Sequence, residues 1–234
     1  MSEDKVILWT LPPSSNSAVI RTFLLAAEIP FEEKNAWGQT RTPEYIAKFP
    51  NNCAPAVEHG DFSVCETAAS MRYLAKAFPD KAGKFYPSDN AQKAAKIDMV
   101  CDMINTGICN LIPKAAYPTL GFPLYAGDVA AMDESKEHTK ASQKAAADAI
   151  KEYLENKVVG ILLDKTKFLM SDTPTIADFR FAPMLSQIKV TMELPDGIAD
   201  YLERMEADVP GFADGNKPAN EYNSKFWVTN PVDC

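Results

Sequence analysis

The 234-residue sequence predicts a mixed α/β unit followed by an all-helical unit. Patterns typical of strands are confined to about the first eighty residues, and a stretch rich in proline, glycine and lysine follows at 79–88. After that stretch the strand patterns largely stop and long helical patterns begin. Such a change of pattern indicates two domains. We therefore expect residues 1–80 to form the first domain, 81–90 a linker and 91–234 the second domain.

The first unit reads as βαβ, a short helix, and then ββα. Residues 6–9 are a dense apolar run, typical of a buried strand, and residues 18–28 follow with helical spacing. The proline after Ile29 favours extended backbone and so starts a second strand. Thr42 and Pro43 are suited to begin a short helix. Two further strands, at 56–57 and 62–65, and a helix at 66–78 complete the predicted unit.

The second unit contains four segments with helical spacing and no comparable strand pattern. The predicted helices lie at 91–113, 134–154, 174–190 and 197–207. The remaining segment, 211–234, is rich in asparagine, proline and aromatic residues. We expect it to be a surface tail on the second domain rather than a core element.

Composition and charge exclude several classes of protein. The formal net charge is −8, whereas a nucleic-acid-binding surface needs clusters of basic residues. The same charge gives no support for docking on anionic membranes. No apolar run approaches the roughly 18 residues of a membrane span, and the polar, acidic N-terminus is unlike a targeting peptide. We expect a cytoplasmic protein without nucleic-acid or membrane partners.

The cysteine pattern argues against a metal site and against structural disulfides. The chain has five cysteines without a CxxC pair, and its only two histidines lie far from any cysteine pair. A zinc site or a disulfide framework has a more regular spacing. We expect reduced thiols and no bound metal.

Ser14 is the candidate for chemistry because it stands where the first strand meets the first helix. A helix N-terminus has free backbone N–H groups and partial positive charge, so a hydroxyl there is well placed to act on an anion. Serine is also a common helix cap. The residue type alone leaves both roles open.

Five short segments together carry a resemblance to a known family. They are 8–17 around Ser14, Gly38-Gln39-Thr40-Arg41-Thr42-Pro43-Glu44, Phe49-Pro50-Asn51-Asn52-Cys53-Ala54-Pro55-Ala56-Val57, Cys65-Glu66-Thr67, and Ser171-Asp172-Thr173-Pro174-Thr175-Ile176-Ala177-Asp178. With these segments in this order, nearly the whole chain resembles the cytosolic glutathione transferases of the serine type, the theta- and phi-like classes. The resemblance implies a thioredoxin-like N-terminal domain of βαβ-α-ββα order, followed by the helical C-terminal domain of that family. In the last segment Thr175 and Asp178 also have the spacing of a capping box.

The resemblance implies that a serine hydroxyl stabilises the thiolate of glutathione. Counting back from the second strand places Ser14 at the family position, and Ser15 is the alternative if the register slips by one residue. A free thiol has a pKa near 8.5, and a hydrogen bond to sulfur favours its anion. The serine would not itself be the nucleophile.

The resemblance also implies partners for the rest of glutathione, the co-substrate. Arg41 would meet the glycine carboxylate, although Thr40 replaces the histidine that the family has beside it. Cys53 stands where the family has lysine or glutamine. The other implied contacts are Ala54 before a cis-Pro55 for the cysteinyl backbone, Glu66 for the ammonium, Thr67 for the γ-glutamyl carboxylate, and Asp102, with Asp98 as its competitor, for the ammonium in the partner subunit.

The implied second substrate is a small apolar electrophile on the helical domain. The candidate contacts are apolar residues on and after its first helix and in the tail: Met103, Ile108, Ile112, Tyr117, Leu120, Phe122, Phe226 and Trp227. The resemblance implies a homodimeric transferase that conjugates glutathione, with possible reduction of hydroperoxides. The alternative is a non-catalytic protein of the same fold that serves as an interaction or ligand-binding module. The missing histidine and Cys53 favour this alternative, whereas Ser14, Glu66 and Thr67 favour the enzyme.

Overall fold

The structure is a computed structural model that describes residues 5–117 and 137–226, with side chains described for 5–117 and 141–224. Its N-terminal part contains a four-stranded sheet of order β2-β1-β3-β4. Strand β2 is parallel to β1, while β3 is antiparallel to both β1 and β4. The elements follow one another as β1 Val6–Thr10, α1 Ser15–Ala26, β2 Phe31–Asn35, α2 Pro43–Lys48, β3 Ala56–His59, β4 Phe62–Cys65 and α3 Thr67–Ala77. This order confirms the predicted βαβ-α-ββα arrangement.

The described residues after Cys65 form helices and one isolated bridge, and no strand. The predicted linker contains part of α4 and a 3-10 turn, Gly83–Phe85. The predicted helix 91–113 is two helices, because Pro113 lacks the N–H that a helix interior needs and lies in the first turn of a new one. The helices are α4 Pro79–Ala82, α5 Ala91–Gly107, α6 Ile112–Ala116, α7 Glu137–Tyr153 with a π-helical continuation Leu154–Leu162, α8 Ile176–Ile188, α9 Asp196–Asp208 and α10 Phe212–Phe226.

Helix α8 is the centre of the main core, and every one of its 13 residues is buried. It contacts α1 and α3 of the first domain as well as α5, α9 and α10 of the second. Aromatic rings cross the boundary between the domains: Phe179 packs edge-on against Phe23 at 5.3 Å and against Phe85 at 4.9 Å between ring centroids. The predicted capping box of Thr175 and Asp178 is present at the start of this helix.

The prediction of a surface tail from residue 211 is wrong for its first part. Residues 212–226 form helix α10, which packs along α1. Its buried residues recur at helical spacing, but of the five that are described two are polar and one is a glycine, so the hydrophobic pattern in the sequence is weak. They are Phe212, Gly215, Asn216, Ala219 and Asn223. Asn223 Nδ2 donates to the Pro13 carbonyl at 3.4 Å, so α10 also supports the loop that leads to Ser14.

An ion pair fastens β2, α1 and α10 together. The buried Arg21 donates from Nε and Nη2 to the two carboxylate oxygens of Glu33, at 2.8 and 2.5 Å, and from Nη1 to the Gly215 carbonyl at 2.9 Å. Burial alone raises the pKa of Glu33. The hydrogen bonds from Arg21 and Thr10 and the Arg21 charge outweigh that effect, so the pKa is lowered overall.

We expect Glu33→Gln to lower the free energy of unfolding at pH 7 by about 1–2 kcal/mol, since it removes charge-assisted hydrogen bonds from a side chain that is 35% exposed. A lowered folded-state pKa means that the carboxylate stabilises the fold above the unfolded pKa, and that this contribution is lost as the pH falls through the folded pKa. Urea unfolding at pH 7 and pH 3 should therefore show the difference between wild type and variant shrinking in acid. The adjacent Glu32→Gln removes only an exposed pair with Lys5 and is the matched control; an equal effect of both substitutions would contradict the prediction.

Candidate functional site

A cavity of about 210 Å³ lies where the loop before β3 and the start of α3 face the first turn of α1 and helix α8. Its lining residues come from both domains: Asn16, Asn51, Cys53, Ala54, Pro55, Cys65, Glu66, Thr67 and Arg180. A second, larger cavity of about 380 Å³ contains none of the predicted site residues, and its lysines 84, 93 and 96 are surface residues. The smaller cavity is therefore the candidate site.

Five predicted glutathione contacts line this cavity together. They are Cys53, Ala54, Pro55, Glu66 and Thr67. The Ala54–Pro55 peptide bond is cis, as the resemblance implies. Sheet register brings the two segments side by side, since Ala56 at the start of β3 pairs with Cys65 at the end of β4.

Glu66 has a backbone conformation that is uncommon for a residue with a side chain. Its φ is +70°, a strain of order 1–3 kcal/mol that is often found at binding sites. Its carboxylate accepts a hydrogen bond from Asn51 Nδ2 at 2.5 Å. The Glu66 side chain, at the N-cap of helix α3, makes no capping hydrogen bond, so the N–H groups of the first turn are available to an anionic ligand. A carboxylate and a helix N-terminus together suit a ligand that carries both an ammonium and a carboxylate.

Cys53, one of the two cysteines that line this cavity, is a weak nucleophile. Partial burial, the Glu66 carboxylate and Cys65 all raise the pKa of Cys53, so its thiol stays protonated near neutral pH. Tyr45 donates its hydroxyl to the Cys53 carbonyl at 2.9 Å and so holds the loop. Burial raises the pKa of Tyr45 to about 12, and this hydroxyl therefore keeps its proton.

Ser14 is the N-cap of α1, and neither Ser14 nor Ser15 lines the cavity. The Ser14 Oγ accepts from the Ser17 N–H at 3.3 Å. In this bond the hydroxyl is an acceptor, so its own proton remains available for donation. Ser15 is buried, and Asn16, two residues after Ser14, is the residue of this turn that lines the cavity.

The charged candidates outside the cavity lining occupy the surface. Arg41 is exposed, just before Thr42, the N-cap of α2, and is not brought to the cavity. Asp98 accepts from Arg72 Nε at 2.6 Å and from the Tyr86 hydroxyl at 3.0 Å. Asp102 is exposed on α5. Of the two competing aspartates, Asp102 is therefore the one that is open to a partner.

The predicted apolar pocket is only partly supported. Ile108 and Ile112 are 0% and 3% exposed and belong to the main core, because the break between α5 and α6 turns both inward. They therefore offer no surface to a substrate. Met103 and Tyr117 are half-buried against the same core. The predictions for Leu120, Phe122 and Trp227, and for the side chain of Phe226, fall outside the described residues.

Sequence reasoning missed Asn16, Asn51, Cys65 and Arg180 as cavity residues. The sequence did contain an indication that Arg180 is functional, because this charged residue stands between two phenylalanines in a helix that is otherwise largely apolar. Arg180 is only 7% exposed, yet it lines the cavity. Asn16, Asn51 and Cys65 carry no comparable signal, since short polar residues and single cysteines are common near turns.

The described residues hold neither a metal-binding cluster nor a membrane-spanning helix. Within 5–117 and 137–226, no group of three or more histidine, cysteine or acidic side chains is arranged to hold a metal ion. In the same ranges no helix has the length and the apolar character needed to span a membrane.

Comparison with known proteins supports the resemblance. Residues 4–76 match the family model for the glutathione S-transferase N-terminal domain. Two curated relatives from Arabidopsis thaliana are glutathione S-transferase T1, 31% identical over 65% of this chain, and glutathione S-transferase T3, 29% identical over 76% of this chain. The alignments span 58% and 29% of the length of these relatives.

A solved structure supports the fold over nearly the whole chain. A glutathione transferase homologue from Drosophila mojavensis with bound glutathione superposes with a TM-score of 0.78 over 97% of this chain and 99% of its own, at 19% sequence identity. At this identity the likeness concerns the fold, a thioredoxin-like N-terminal domain followed by a helical C-terminal domain.

Proposed function

Because the chain belongs to the glutathione S-transferase family, we propose that it is an enzyme that conjugates glutathione to small apolar electrophiles. The observation that carries the proposal is the cavity in which the Ala54–Pro55 segment lies beside Glu66 and Thr67. Three kinds of group are needed to bind a γ-glutamyl tripeptide: an exposed backbone, an acceptor for its ammonium and donors for its carboxylates. This cavity supplies all three.

The tripeptide is expected to bind in an extended conformation. Its cysteinyl backbone pairs with Ala54 in the manner of an added strand. Its γ-glutamyl ammonium meets the Glu66 carboxylate, while its γ-glutamyl carboxylate meets Thr67 and the uncapped start of α3. The glycine carboxylate is expected to pair with Arg41, an exposed side chain outside the cavity lining.

The proposed reaction is a nucleophilic substitution by sulfur. The thiol of bound glutathione loses its proton to solvent, and its thiolate attacks an electrophilic carbon. A carbon–sulfur bond forms while the bond to the leaving group breaks, and the leaving group departs with the electron pair. The Ser14 hydroxyl donates to the thiolate, which lowers the thiol pKa in the complex. Reduction of organic hydroperoxides by the same thiolate is the proposed secondary activity.

We expect Ser14→Ala to lower kcat/KM for glutathione and 1-chloro-2,4-dinitrobenzene by about 10- to 150-fold, because a hydrogen bond to a charged atom contributes about 1.5–3 kcal/mol. Ser15→Ala, the adjacent hydroxyl, is the matched control and should leave turnover nearly unchanged. Loss of activity in Ser15→Ala alone would shift the serine by one position. A wild-type chain that binds glutathione by calorimetry but turns over no electrophile or peroxide would favour the non-catalytic module.

The proposed assembly is a homodimer in the cytoplasm. Phe62 on β4 and Met99 on α5 are large apolar side chains that remain exposed in the single chain. Asp102 is also exposed, three residues after Met99, and so lies on the same face of α5. This placement supports an interface through which Asp102 reaches glutathione in the partner subunit. Sedimentation analysis of wild type and Met99→Asp is the direct measurement.

A further inference from the structure

Arg180 is a buried arginine whose side chain lines the candidate cavity. It lies on α8, in the second domain, and the whole residue is 7% exposed. Taking a charge out of water is costly unless the charge is paired and hydrogen-bonded. The question is therefore which groups satisfy this guanidinium.

The hydrogen-bond partners of Arg180 in the described part of the chain are all neutral. Its Nε donates to Asn105 Oδ1 at 3.1 Å, and its Nη1 donates to Asn16 Oδ1 at 3.1 Å and to Met184 Sδ at 2.6 Å. Its Nη2 donates to Cys109 Sγ at 3.2 Å. Burial raises the pKa of Cys109 although Arg180 opposes the effect, so this thiol is protonated near neutral pH.

Arg21, another buried arginine at the domain boundary, differs from Arg180 because its partner is a carboxylate. Arg21 binds both carboxylate oxygens of Glu33 and is thereby neutralised. Arg180 is held by amide and sulfur groups, which fix its direction without cancelling its charge. The four bonds use all but one of the five N–H donors of a guanidinium. One donor at Nη2 and the full positive charge are left for a group in the cavity.

The position of Arg180 in the cavity indicates which group that is. The following step rests on the proposed function, that is, on glutathione as the ligand. Ala54, Glu66 and Thr67 on the N-terminal domain take the backbone and the γ-glutamyl part. The lining residues that remain across the cavity are Asn16 and Arg180. The glycine carboxylate is assigned to Arg41, outside the cavity lining, so the cysteine side chain is the part of glutathione that is left for Arg180.

We propose that Arg180 binds the sulfur of glutathione and supplies the positive charge that favours its thiolate. A serine hydroxyl is a neutral donor, whereas an opposite charge within about 4–6 Å lowers a pKa by about 1–3 pH units. Arginine stays charged throughout the pH range of the reaction. Arg180 is thus a catalytic residue that acts together with Ser14.

The test is a titration of the bound thiol. Thiolate absorbs near 240 nm, so its formation is followed with saturating glutathione from pH 5 to pH 10 in wild type, Arg180→Met and Arg180→Gln. Both variants remove the charge, and glutamine keeps part of the hydrogen bonding should methionine impair folding. We expect the pKa of the bound thiol to rise by about 1–3 pH units in both. Arg204→Met, which removes an arginine of α9 whose Nε donates to the Lys167 carbonyl, is the matched control and should not change the pKa of the bound thiol.

A second ligand distinguishes an effect of the Arg180 charge on the thiol from a general structural effect on the cavity. S-methylglutathione has the same tripeptide but no ionisable thiol. Its affinity should be unchanged in both Arg180 variants. Glutathione at pH 8 should bind them more weakly than it binds wild type, by up to about tenfold for each pH unit by which the thiol pKa rises. An unchanged thiol pKa in folded variants overturns the role of Arg180 and leaves the proposed function intact. An equal loss of both ligands makes the arginine structural and also overturns it. Failure of wild type to bind glutathione overturns the proposed function itself, and the role of Arg180 with it.

Discussion

Replacing Asp178 by alanine is expected to lower the free energy of unfolding by at least about 3 kcal/mol. The residue is 0% exposed and lies in the first turn of the central helix α8. Its Oδ1 accepts from the Leu169 N–H at 2.9 Å and from the Tyr201 hydroxyl at 3.0 Å. Its Oδ2 accepts from the Thr175 N–H at 2.8 Å and from the Thr175 hydroxyl at 3.0 Å. Alanine leaves several buried donors without an acceptor, at about 1–3 kcal/mol each.

Urea unfolding at pH 7 measures this loss. Asp172→Ala, in the loop just before helix α8 and exposed, is the matched control and should stay within about 0.5 kcal/mol of wild type. Equal unfolding midpoints of the two variants would contradict the structural role of Asp178. The substitution should also disturb Arg180, which lies two residues further along the same helix.

Burial raises the pKa of Asp178 to about 6, although its hydrogen-bond donors oppose the effect. The folded state therefore holds this proton more tightly than the unfolded chain, whose pKa is about 3.9. The contribution of the group is fully present below the unfolded pKa and declines as the pH rises through the folded value. The difference between wild type and Asp178→Ala should accordingly grow as the pH is lowered from 7 toward 4. A difference that shrinks over this range would contradict the shift.

Replacing Gly215 by valine is the second large effect that we expect, a loss of about 3 kcal/mol in the free energy of unfolding. Gly215 lies where α10 crosses α1, and a Cβ at this position would lie 2.2 Å from Thr22 Oγ1 and 2.8 Å from Thr22 Cα. The second contact is with backbone, so the helices have to separate. Separation also breaks the bond from Arg21 to the Gly215 carbonyl.

Gly83→Val offers a matched control in a roomier place, since a Cβ at Gly83 meets only Pro79 Cβ at 3.9 Å. We expect its cost to stay below about 1 kcal/mol, so thermal unfolding should separate the two variants clearly. Because α10 supports the loop before Ser14, Gly215→Val should also weaken glutathione binding at temperatures where the protein is still folded. Equal stability of the two variants would mean that α10 packs less closely on α1 than the structure has it.

Local patterns predicted most of the fold. The order of strands and helices up to Ala77 follows from periodicity and from prolines and caps, and these depend on residues only a few positions apart. The capping box of Thr175 and Asp178 is of the same kind. The break between α5 and α6 was missed, although Pro113 marks it. Helix α10 was not predicted, because its buried face includes two asparagines and a glycine, and the contacts that bury this face are with α1.

The sequence by itself determined the element order of the N-terminal domain, because short-range patterns specify strands and helices. The resemblance to the glutathione transferases supplied the segment around the cis-Pro55 and the pair Glu66 and Thr67. Tertiary structure alone decided that Arg180 shares a cavity with them. Its bonds to Asn105 and Asn16 span 75 and 164 residues, so no local pattern encodes them. Packing also decided that Ile108 and Ile112 belong to the core and that Arg41 stays on the surface. A cavity is formed by distant segments, and its charge is known only once those segments have been brought together.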